Sequence, residues 1–408
     1  MNSKPILFIT DGNFLSHLLR CIEIARVLRS MGEKVVFAAS GRYIKLLHSQ
    51  GFTIHPVFTN DPDHTMKATR ASMMKYYDQM LIVRSIFSEV ECLRTVNPKV
   101  VVGDFRWTLK ISAEYCGIPF VSIINTLWTP YYGLRRSIPE QLHIRKFIGK
   151  KMCELLGPWL KEKVLVKRGK PFMKMRNQLG ISPLKNLNHE MCGDLNLMPD
   201  IPELFPTLNL PEHFKYIGPL YAGDTSLPVP DNPHVPDKPF IYITLGSTAT
   251  PRLISLLFKA FESLDIPIVM TTGKQPVTHP VPNNFILMDY LSARQAYKNA
   301  QLVVCHGGHG TLYQALSYGK PIIGIATHND QQWNLDRIQA EGLGLQFNEK
   351  TCTPETLKNA YINMVSGQSF ANNAIRFKTI LEHYDAPSIA ANEIIRFAHN
   401  PLMQYATV

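Results

Sequence analysis

Short apolar runs alternate with amphipathic stretches along the first 125 residues. The amphipathic stretches, such as residues 17–30, carry apolar residues at helical spacing and predict helices. The apolar runs predict strands at residues 6–10, 35–39, 100–102 and 120–124. Apolar strands alternating with helices are typical of a parallel sheet covered on both faces. The pattern predicts a Rossmann-like α/β domain.

The same alternation resumes at residue 240. Strands are predicted at Phe240–Leu245, Pro267–Thr271, Phe285–Met288, Leu302–Cys305 and Pro321–Ile325. Ten prolines lie between Pro199 and Pro239, and proline cannot donate to a strand ladder, so this stretch predicts a connection between domains.

The predicted organisation is an N-terminal domain over 1–221, a linker over 222–238, a C-terminal domain over 239–390 and a C-terminal helix or tail over 391–408. Because such sheets bind ligands at the carboxyl ends of their strands, two Rossmann-like domains predict a cleft between them.

Positive charge is concentrated in one segment. Residues 135–185 hold 14 Lys and Arg against three acidic residues, which accounts for the whole net charge of +11 in the 408-residue chain. Apolar and aromatic residues such as Trp159 and Phe172 are interleaved with these cations. The segment predicts either peripheral contact with an anionic membrane or an ordinary solvated face. We do not expect nucleic acid as a partner, since no recognised binding motif accompanies the charge.

The seven cysteines form no CxxC pair, which is typical of reduced thiols. The apolar run after Lys4 is too short for a signal sequence or a membrane span. We therefore expect a cytoplasmic protein, with any membrane contact peripheral at the inner face.

A glycine-rich turn follows the strand that ends at Cys305. It contains His306, Gly307, Gly308, Gly310 and Thr311 and opens a predicted helix. Glycines permit close approach of the backbone to a phosphate, and a helix N-terminus favours anions. A diphosphate site is one interpretation, and a plain strand-to-helix turn is the other.

A second polar pair follows the next predicted strand. Asp330 and Gln331 come after Pro321–Ile325, at the expected carboxyl edge of the sheet beside the glycine-rich turn. A carboxylate and an amide side by side suit the vicinal hydroxyls of a sugar.

The sequence from His306 to Thr311, followed by Asp330-Gln331 and Asn334, resembles the nucleotide-sugar box of UDP-glycosyltransferases, in particular the bacterial macrolide and plant natural-product type. The resemblance implies the two-domain GT-B fold, an inverting transfer and a nucleotide-sugar donor. It implies no resident cofactor and no metal ion.

The resemblance also assigns roles to residues. Gly246 and Ser247 correspond to the strand end that meets the phosphates, Tyr290 to the residue facing the nucleobase, and Gln314 to the residue facing the ribose. The family usually has Glu at position 314 and a Trp-containing run at position 290. Gln314 and Tyr290 depart from that pattern, so UDP is only the leading candidate for the donor nucleotide, with dTDP close behind.

The same resemblance places the catalytic base at His17 and its orienting carboxylate at Asp104. Histidine can accept a proton from a hydroxyl near neutral pH, and a carboxylate on its other ring nitrogen fixes the tautomer. The alternative roles are a polar residue at a helix N-terminus for His17 and a helix cap for Asp104.

Together these features predict a glycosyltransferase that moves a hexose-like sugar onto a hydroxyl of a small-molecule or lipid-like acceptor. A catalytically silent scaffold protein and a nucleotide-sugar epimerase of the same fold are the alternatives.

Overall fold

The computed structural model describes residues 4–61, 63, 78–137, 162–221, 229–246 and 250–400. The chain divides into two compact units, Met1–Leu220 with Asp385–Val408, and Tyr221–Tyr384. Both units are α/β, as the sequence predicts. Ser247 and part of the basic segment, residues 138–161, lie outside the described residues.

The first unit contains a seven-stranded parallel sheet with strand order β3-β2-β1-β4-β5-β6-β7. Its strands are β1 (Ile6–Thr10), β2 (Val35–Ala38), β3 (Thr53–His55), β4 (Val100–Asp104), β5 (Phe120–Ile123), β6 (Leu195–Met198) and β7 (Phe214–Tyr216). Its helices before residue 221 include α1 (Leu15–Ser30), α2 (Ile44–Ser49), α3 (Gln79–Val96), α4 (Leu109–Cys116) and α5 (Leu187–Glu190), and residues 162–178 are also helical.

Alternate residues of β1 enter different cores. Ile6 and Phe8 pack on one face of the sheet, with residues of α1. Leu7 and Ile9 pack on the other face, with residues of α3 and α4. Successive strand side chains point to opposite faces, so an apolar run buries itself fully only between two helical layers.

Strand β7 lies inside the proline-rich stretch but before the predicted linker at 222–238. Its residues Phe214–Tyr216 pair in parallel with β6, so this part of the stretch does contribute to a sheet ladder. Three residues suffice for an edge strand, and the nearest prolines, Pro211 and Pro219, lie outside it.

The second unit contains a six-stranded parallel sheet with strand order β10-β9-β8-β11-β12-β13. Its strands are β8 (Phe240–Thr244), β9 (Ile268–Thr271), β10 (Phe285–Met288), β11 (Ala300–Cys305), β12 (Ile322–Ala326) and β13 (Gly344–Asn348). Its helices are α6 (Pro251–Phe261), α7 (Ala293–Tyr297), α8 (His309–Ser317), α9 (Asn329–Ala340), α10 (Pro354–Ser366) and α11 (Ser369–Leu381).

The described part of the predicted linker, residues 229–238, belongs to the second unit. The main-chain N–H of Asn232 donates to Gln295 Oε1 at 2.9 Å, and Gln295 Nε2 donates back to the Asn232 carbonyl at 3.0 Å. This reciprocal pair ties the segment to the start of α7.

The last helix, α12 (Ala386–His399), returns to the first unit. Ala390, Ile394 and Phe397 are spaced to form one apolar stripe, and they are buried against the first sheet's core. The predicted boundary at residue 390 therefore falls inside a helix. The structure places the division before α12, because its apolar stripe completes the first core.

Each sheet reverses its winding direction at its centre. In the first sheet the chain runs outward from β1 to β3 and then resumes on the other side of β1 with β4. In the second sheet the same reversal occurs between β8 and β11. Crevices at the carboxyl ends of strands next to such a reversal are where open α/β sheets bind ligands.

Candidate active site

In the first unit, polar side chains gather where β1 and β4 end. Thr10 and Asp104 are partners in the parallel register of these strands, so both ends lie at one edge of the sheet. Helix α1 begins five residues after β1 and carries His17 and Arg20 three positions apart. Residues at that spacing share a helix face, so both side chains reach the same place.

The structure brings the predicted pair together. Nδ1 of His17 lies 2.8 Å from Oδ1 of Asp104. The Asp104 side chain is fully buried, whereas that of His17 retains 19% exposure. The geometry fits a histidine oriented by a carboxylate through one ring nitrogen, with the ring still accessible from one side.

Arg20 completes this group, and sequence reasoning missed it. Its Nε lies 2.8 Å from Oδ2 of Asp104 and its Nη2 lies 2.6 Å from Oδ1. A third nitrogen, Nη1, donates to Oδ1 of Asn125 at 2.6 Å. The i,i+3 spacing from His17 is the signal that could have identified Arg20, since a cation three positions along a helix shares the face that carries His17.

The charge state of Asp104 follows from these contacts. Burial alone would raise its pKa by disfavouring the carboxylate, but the charge of Arg20 and the interaction with His17 outweigh burial and hold the pKa of Asp104 below its usual range. Asp104 is therefore ionised at neutral pH.

Aromatic rings surround His17. Phe105 stacks on the imidazole with ring centroids 5.3 Å apart, and Phe14 meets it edge-on at 5.7 Å. Phe105 also packs edge-on against Trp107 and Trp128. Its backbone adopts φ of 53°, a left-handed conformation that is unusual for a bulky residue and occurs often at functional sites. The imidazole of His17 therefore lies in an apolar, aromatic surface.

In the second unit, His306 follows β11 at the reversal point. Its Nδ1 lies 3.2 Å from the carbonyl oxygen of Ile325 on the neighbouring β12. Its Nε2 is buried and has no hydrogen-bond partner among the described residues. Burial lowers the pKa of His306 to about 4, so the imidazole is neutral at pH 7.

The glycine-rich turn leads directly into α8. Gly307 has φ of +86°, and a Cβ there would lie 2.6 Å from Leu335 Cγ, so only glycine fits. Gly308 precedes α8 without a side-chain cap, while Gly310 and Thr311 occupy its first turn. The first N–H groups of α8 therefore have no capping side chain and can bind an anion.

Asp330 and Gln331 lie in the first turn of α9, after β12. The amide oxygen of Gln331 is already hydrogen-bonded within the protein, because Oε1 accepts from both the N–H and the hydroxyl of Thr327 at 2.9 Å. Only its Nε2 is left to contact a sugar. Nearby, Asn334 is fully buried and donates to the carbonyl of Gly307 at 3.0 Å. Asn334 thereby holds the glycine-rich turn against α9.

The remaining predicted residues of this unit lie at or near the same sheet edge. Gly246 follows β8 with φ of +54°. Gln314 lies on α8 and accepts from the hydroxyl of Tyr297 at 3.4 Å. Tyr290 follows β10 and is 41% exposed, which would permit stacking on a base. Ser247 lies outside the described residues, so its predicted role stays a prediction.

No group of three or more metal-ligating side chains occurs in the part of the chain that the structure describes. One Asp-x-Asp spacing is present, at Asp61 and Asp63. Asp61 accepts from the Asp63 main-chain N–H at 3.0 Å, and Asp63 pairs with Arg42 at 3.5 Å. Among the described helices, none is long and apolar enough to cross a membrane.

The chain is similar to one protein family and to several glycosyltransferases. Residues 255–395 match the family described as "Erythromycin biosynthesis protein CIII-like, C-terminal domain". A PGL/p-HBAD biosynthesis glycosyltransferase of Mycobacterium tuberculosis (strain ATCC 25177 / H37Ra) is 30% identical over 379 residues, covering 91% of this chain and 87% of the relative. A PGL/p-HBAD biosynthesis rhamnosyltransferase of Mycobacterium bovis (strain BCG / Pasteur 1173P2) is 29% identical, covering 91% and 83%.

Among solved structures, the calicheamicin glycosyltransferase CalG4 superposes with a TM-score of 0.71 at 17% identity, covering 98% of this chain and all of that one. This similarity shows the fold, which is GT-B with two Rossmann-like units, as the sequence predicts. The identity to the mycobacterial enzyme extends over nearly the whole chain. The protein therefore belongs to the macrolide and natural-product family of GT-B glycosyltransferases.

Proposed function

We propose that this glycosyltransferase inverts the configuration of the transferred sugar, works without a metal ion and uses His17 as its general base. The observation that carries the proposal is the 2.8 Å contact between His17 Nδ1 and the buried carboxylate of Asp104. When Nδ1–H donates to that carboxylate, Nε2 keeps its lone pair and can accept a proton from an acceptor hydroxyl.

The proposed reaction is a single displacement. The acceptor oxygen bonds to the anomeric carbon while its proton moves to Nε2 of His17. The bond from the anomeric carbon to the diphosphate breaks, and its electron pair leaves with the diphosphate oxygen. Attack opposite the leaving group inverts the anomeric centre, and Asp104 stabilises the imidazolium that forms.

The leaving diphosphate gains charge, which the second unit is equipped to stabilise. We assign this role to the N-terminus of α8, with His306 and Thr311 adding hydrogen bonds and Ser247 contributing as the family resemblance implies. Uncapped N–H groups at a helix N-terminus can stabilise an anion without a divalent cation, which is the physical basis for proposing metal independence.

The proposed donor is a pyrimidine nucleoside diphosphate sugar, with UDP favoured and dTDP next. Tyr290 would stack on the base and Gln314 would contact the ribose. Asp330 and the free Nε2 of Gln331 would hold the sugar hydroxyls. One relative is named a rhamnosyltransferase, so 6-deoxyhexoses belong among the candidate sugars.

The proposed acceptor is a hydroxyl on an apolar, ring-containing or lipid-like molecule. The support is the aromatic surface beside His17, formed by Phe14, Phe105 and Trp128. Flat rings bury large apolar area against such a surface and stack with it. The mycobacterial relatives are named for PGL/p-HBAD biosynthesis, which makes phenolic and glycolipid-type acceptors the first to test.

The experiment is a transfer assay with UDP- and dTDP-linked glucose and rhamnose against a panel of phenols and phenolic lipids. Products are identified by mass spectrometry, and anomeric configuration is read from NMR coupling constants. We expect an inverted product and a loss of about 10²–10⁴-fold in kcat for His17→Ala. The exposed His48, replaced by alanine, is the control. Retained activity in His17→Ala would contradict the base assignment, and donor isomerisation without acceptor would favour the epimerase.

We also propose electrostatic contact with anionic lipid through the basic segment. In its described part, Lys167, Lys170 and Lys174 are exposed, whereas Phe172 and Met175 are buried in the core of the first unit. Phe172 and Met175 are therefore already packed in the core, whereas Val164 and Val166 of the same helical segment are exposed beside the lysines. The exposed lysines are the groups that we assign to a membrane surface. Such contact would bring the enzyme to a lipid-borne acceptor.

A further inference from the structure

The guanidinium of Arg20 makes hydrogen bonds to two side chains outside its own helix, Asp104 and Asn125. Arg20 is 5% exposed, and each of its three guanidinium nitrogens has a partner. Two of them hold Asp104, as a fork in which Nε meets Oδ2 and Nη2 meets Oδ1. The third is fixed by Asn125, which follows β5. Because a planar guanidinium bound at all three nitrogens cannot rotate, the carboxylate plane of Asp104 is fixed as well.

The same guanidinium also approaches the base. Nη2 of Arg20 lies 2.9 Å from Nδ1 of His17, and Nδ1 lies 2.8 Å from Oδ1 of Asp104. Two arrangements of hydrogen satisfy these distances. Either Nδ1 carries hydrogen and donates to Asp104, or Nδ1 is bare and accepts from Arg20.

The two arrangements have opposite consequences for the proposed chemistry. If Nδ1 is bare, the ring hydrogen lies on Nε2, and Nε2 cannot accept a proton from the acceptor. If Nδ1 carries hydrogen, Nε2 is the free base. Nη2 carries two hydrogens, so its 2.6 Å contact with Oδ1 does not by itself exclude donation to Nδ1. A bare Nδ1 would, however, face the ionised Oδ1 at 2.8 Å with no hydrogen between the two acceptors, which favours the arrangement with hydrogen on Nδ1.

We propose that Arg20 is a positioning residue that fixes Asp104 as a doubly held acceptor and thereby selects the His17 tautomer with hydrogen on Nδ1 and a free Nε2. This inference rests on the proposed role of His17 as base. Arg20 itself touches neither substrate nor proton in transit. It acts by holding the carboxylate that receives Nδ1–H throughout the displacement.

The direct test is the tautomer of His17 in the resting protein, read from ¹⁵N chemical shifts and long-range ¹H–¹⁵N correlations with labelled histidine. His17→Gln identifies the signal among the 14 histidines. At neutral pH we expect a protonated Nδ1 and a bare Nε2. The reverse pattern would overturn the proposal, and the measurement needs neither donor nor acceptor.

Arg20→Lys then tests whether the Arg20 guanidinium is what selects the tautomer of His17. Lysine keeps the charge but lacks the fork, so we expect a mixture of tautomers and a kcat about 10–100-fold lower, with the KM for the nucleotide sugar unchanged. Arg29→Lys, an exposed arginine of the same helix, is the matched control. Asn125→Ala, which frees only Nη1, should give a smaller change of the same kind.

The outcomes separate this inference from the proposed function. A lower kcat with a wild-type tautomer pattern would make Arg20 merely structural, and an unchanged kcat would remove its role. Either result would overturn the inference while leaving His17 as base. Full activity in His17→Ala would instead overturn the proposed function. Because calorimetric nucleotide binding reports the second unit, it checks that each variant protein is still folded there.

Discussion

The ring of His306 donates its Nδ1–H to the main-chain carbonyl of Ile325, 3.2 Å away on the adjacent strand. This bond favours the neutral tautomer of His306 with hydrogen on Nδ1, although the Leu245 backbone also interacts with the ring. In that tautomer Nε2 is a hydrogen-bond acceptor, and it has no hydrogen-bond partner in the described part of the chain. A phosphate oxygen is also an acceptor, so the two groups can bond only if a proton joins Nε2.

We therefore expect binding of a nucleoside diphosphate to be coupled to proton uptake by His306. An anion beside Nε2 favours the imidazolium, which raises the pKa of His306 from its value of about 4 in the free protein. Calorimetry of UDP binding at pH 6.5, in buffers of different ionisation enthalpy, should report uptake of roughly half a proton or more.

His306→Asn should abolish that uptake, because asparagine can still donate to the Ile325 carbonyl but does not titrate. His328 is the control, since burial also lowers the pKa of this nearby histidine. If proton uptake survives in His306→Asn and disappears in His328→Gln, then His328 rather than His306 takes up the proton, and this prediction is refuted.

His306 should also make the free energy of unfolding of the nucleotide-free protein depend on pH. The pKa of His306 is about 4 when folded, below the ordinary value of 6.5, so its stabilising effect is present above pH 6.5 and is lost as the pH falls towards 4. Between pH 7 and pH 5 this single group should lower the free energy of unfolding by about 2 kcal/mol. Urea denaturation of the wild type and His306→Asn at both pH values measures the difference, and equal pH dependence would contradict it.

Asp104 and Arg20 should be strongly coupled in stability. Asp104→Asn leaves a buried guanidinium without its carboxylate, and Arg20→Met leaves the carboxylate without its main cation. We expect each to cost about 3–5 kcal/mol, and the double variant to cost at least ~2 kcal/mol less than their sum. Urea unfolding of the four proteins gives the coupling.

The exposed pair Lys378 and Glu382, 3.8 Å apart, is the control for that cycle. Because solvent screens this pair, its coupling should be below ~0.5 kcal/mol. A coupling between Asp104 and Arg20 that is no larger than this would show that the buried pair is energetically unimportant.

Gln314→Glu should tighten nucleotide binding and do so selectively. A carboxylate can accept from two ribose hydroxyls, whereas the amide oxygen of Gln314 already accepts from Tyr297. We expect about a tenfold gain for UDP, which has both hydroxyls, and little gain for dTDP, whose deoxyribose lacks the 2′-hydroxyl. Calorimetry with both nucleotides measures this.

Gln301→Glu is the matched control, because Gln301 likewise accepts from a tyrosine hydroxyl, that of Tyr361 at 3.2 Å, on the exposed surface. Equal gains for UDP and dTDP in Gln314→Glu would indicate that the residue does not face the ribose.

Charge reversal in the basic segment should weaken binding to anionic vesicles. Replacing Lys167, Lys170 and Lys174 by glutamate should reduce partitioning to phosphatidylserine-containing vesicles by about 100-fold or more, since each lysine near such a surface contributes ~1 kcal/mol. Co-sedimentation at low and high salt measures the effect, and salt should weaken the wild-type binding.

The control lowers the net charge by the same amount elsewhere, with glutamate at the exposed residues Lys45, Lys259 and Lys298. If both triple variants lose binding equally, total charge rather than this segment is responsible. The prediction would also be contradicted if the wild-type protein bound phosphatidylcholine vesicles as strongly as it binds phosphatidylserine-containing vesicles.

Both sheets and their central strands could be predicted from local sequence patterns. Most residues of β1 and β11 are apolar on both faces, a pattern typical of a parallel sheet covered by helices on both sides. The glycine-rich turn at His306 was predicted because it follows an apolar strand, whereas His17 and Asp104 were predicted from the family resemblance. Short edge strands such as β3 and β7 were not predicted, since a run of three residues is too short to show the alternation of apolar and polar residues that indicates a strand.

The contacts between distant side chains could not be predicted in this way and became known from the three-dimensional structure. Arg20 and Asn125 are 105 residues apart, and their contact depends on the order in which β1, β4 and β5 lie in the sheet. The return of α12 to the first core depends likewise on which apolar face remained uncovered. Local patterns specify elements through period and composition. Contacts between distant elements depend instead on strand order and packing, which no local pattern encodes.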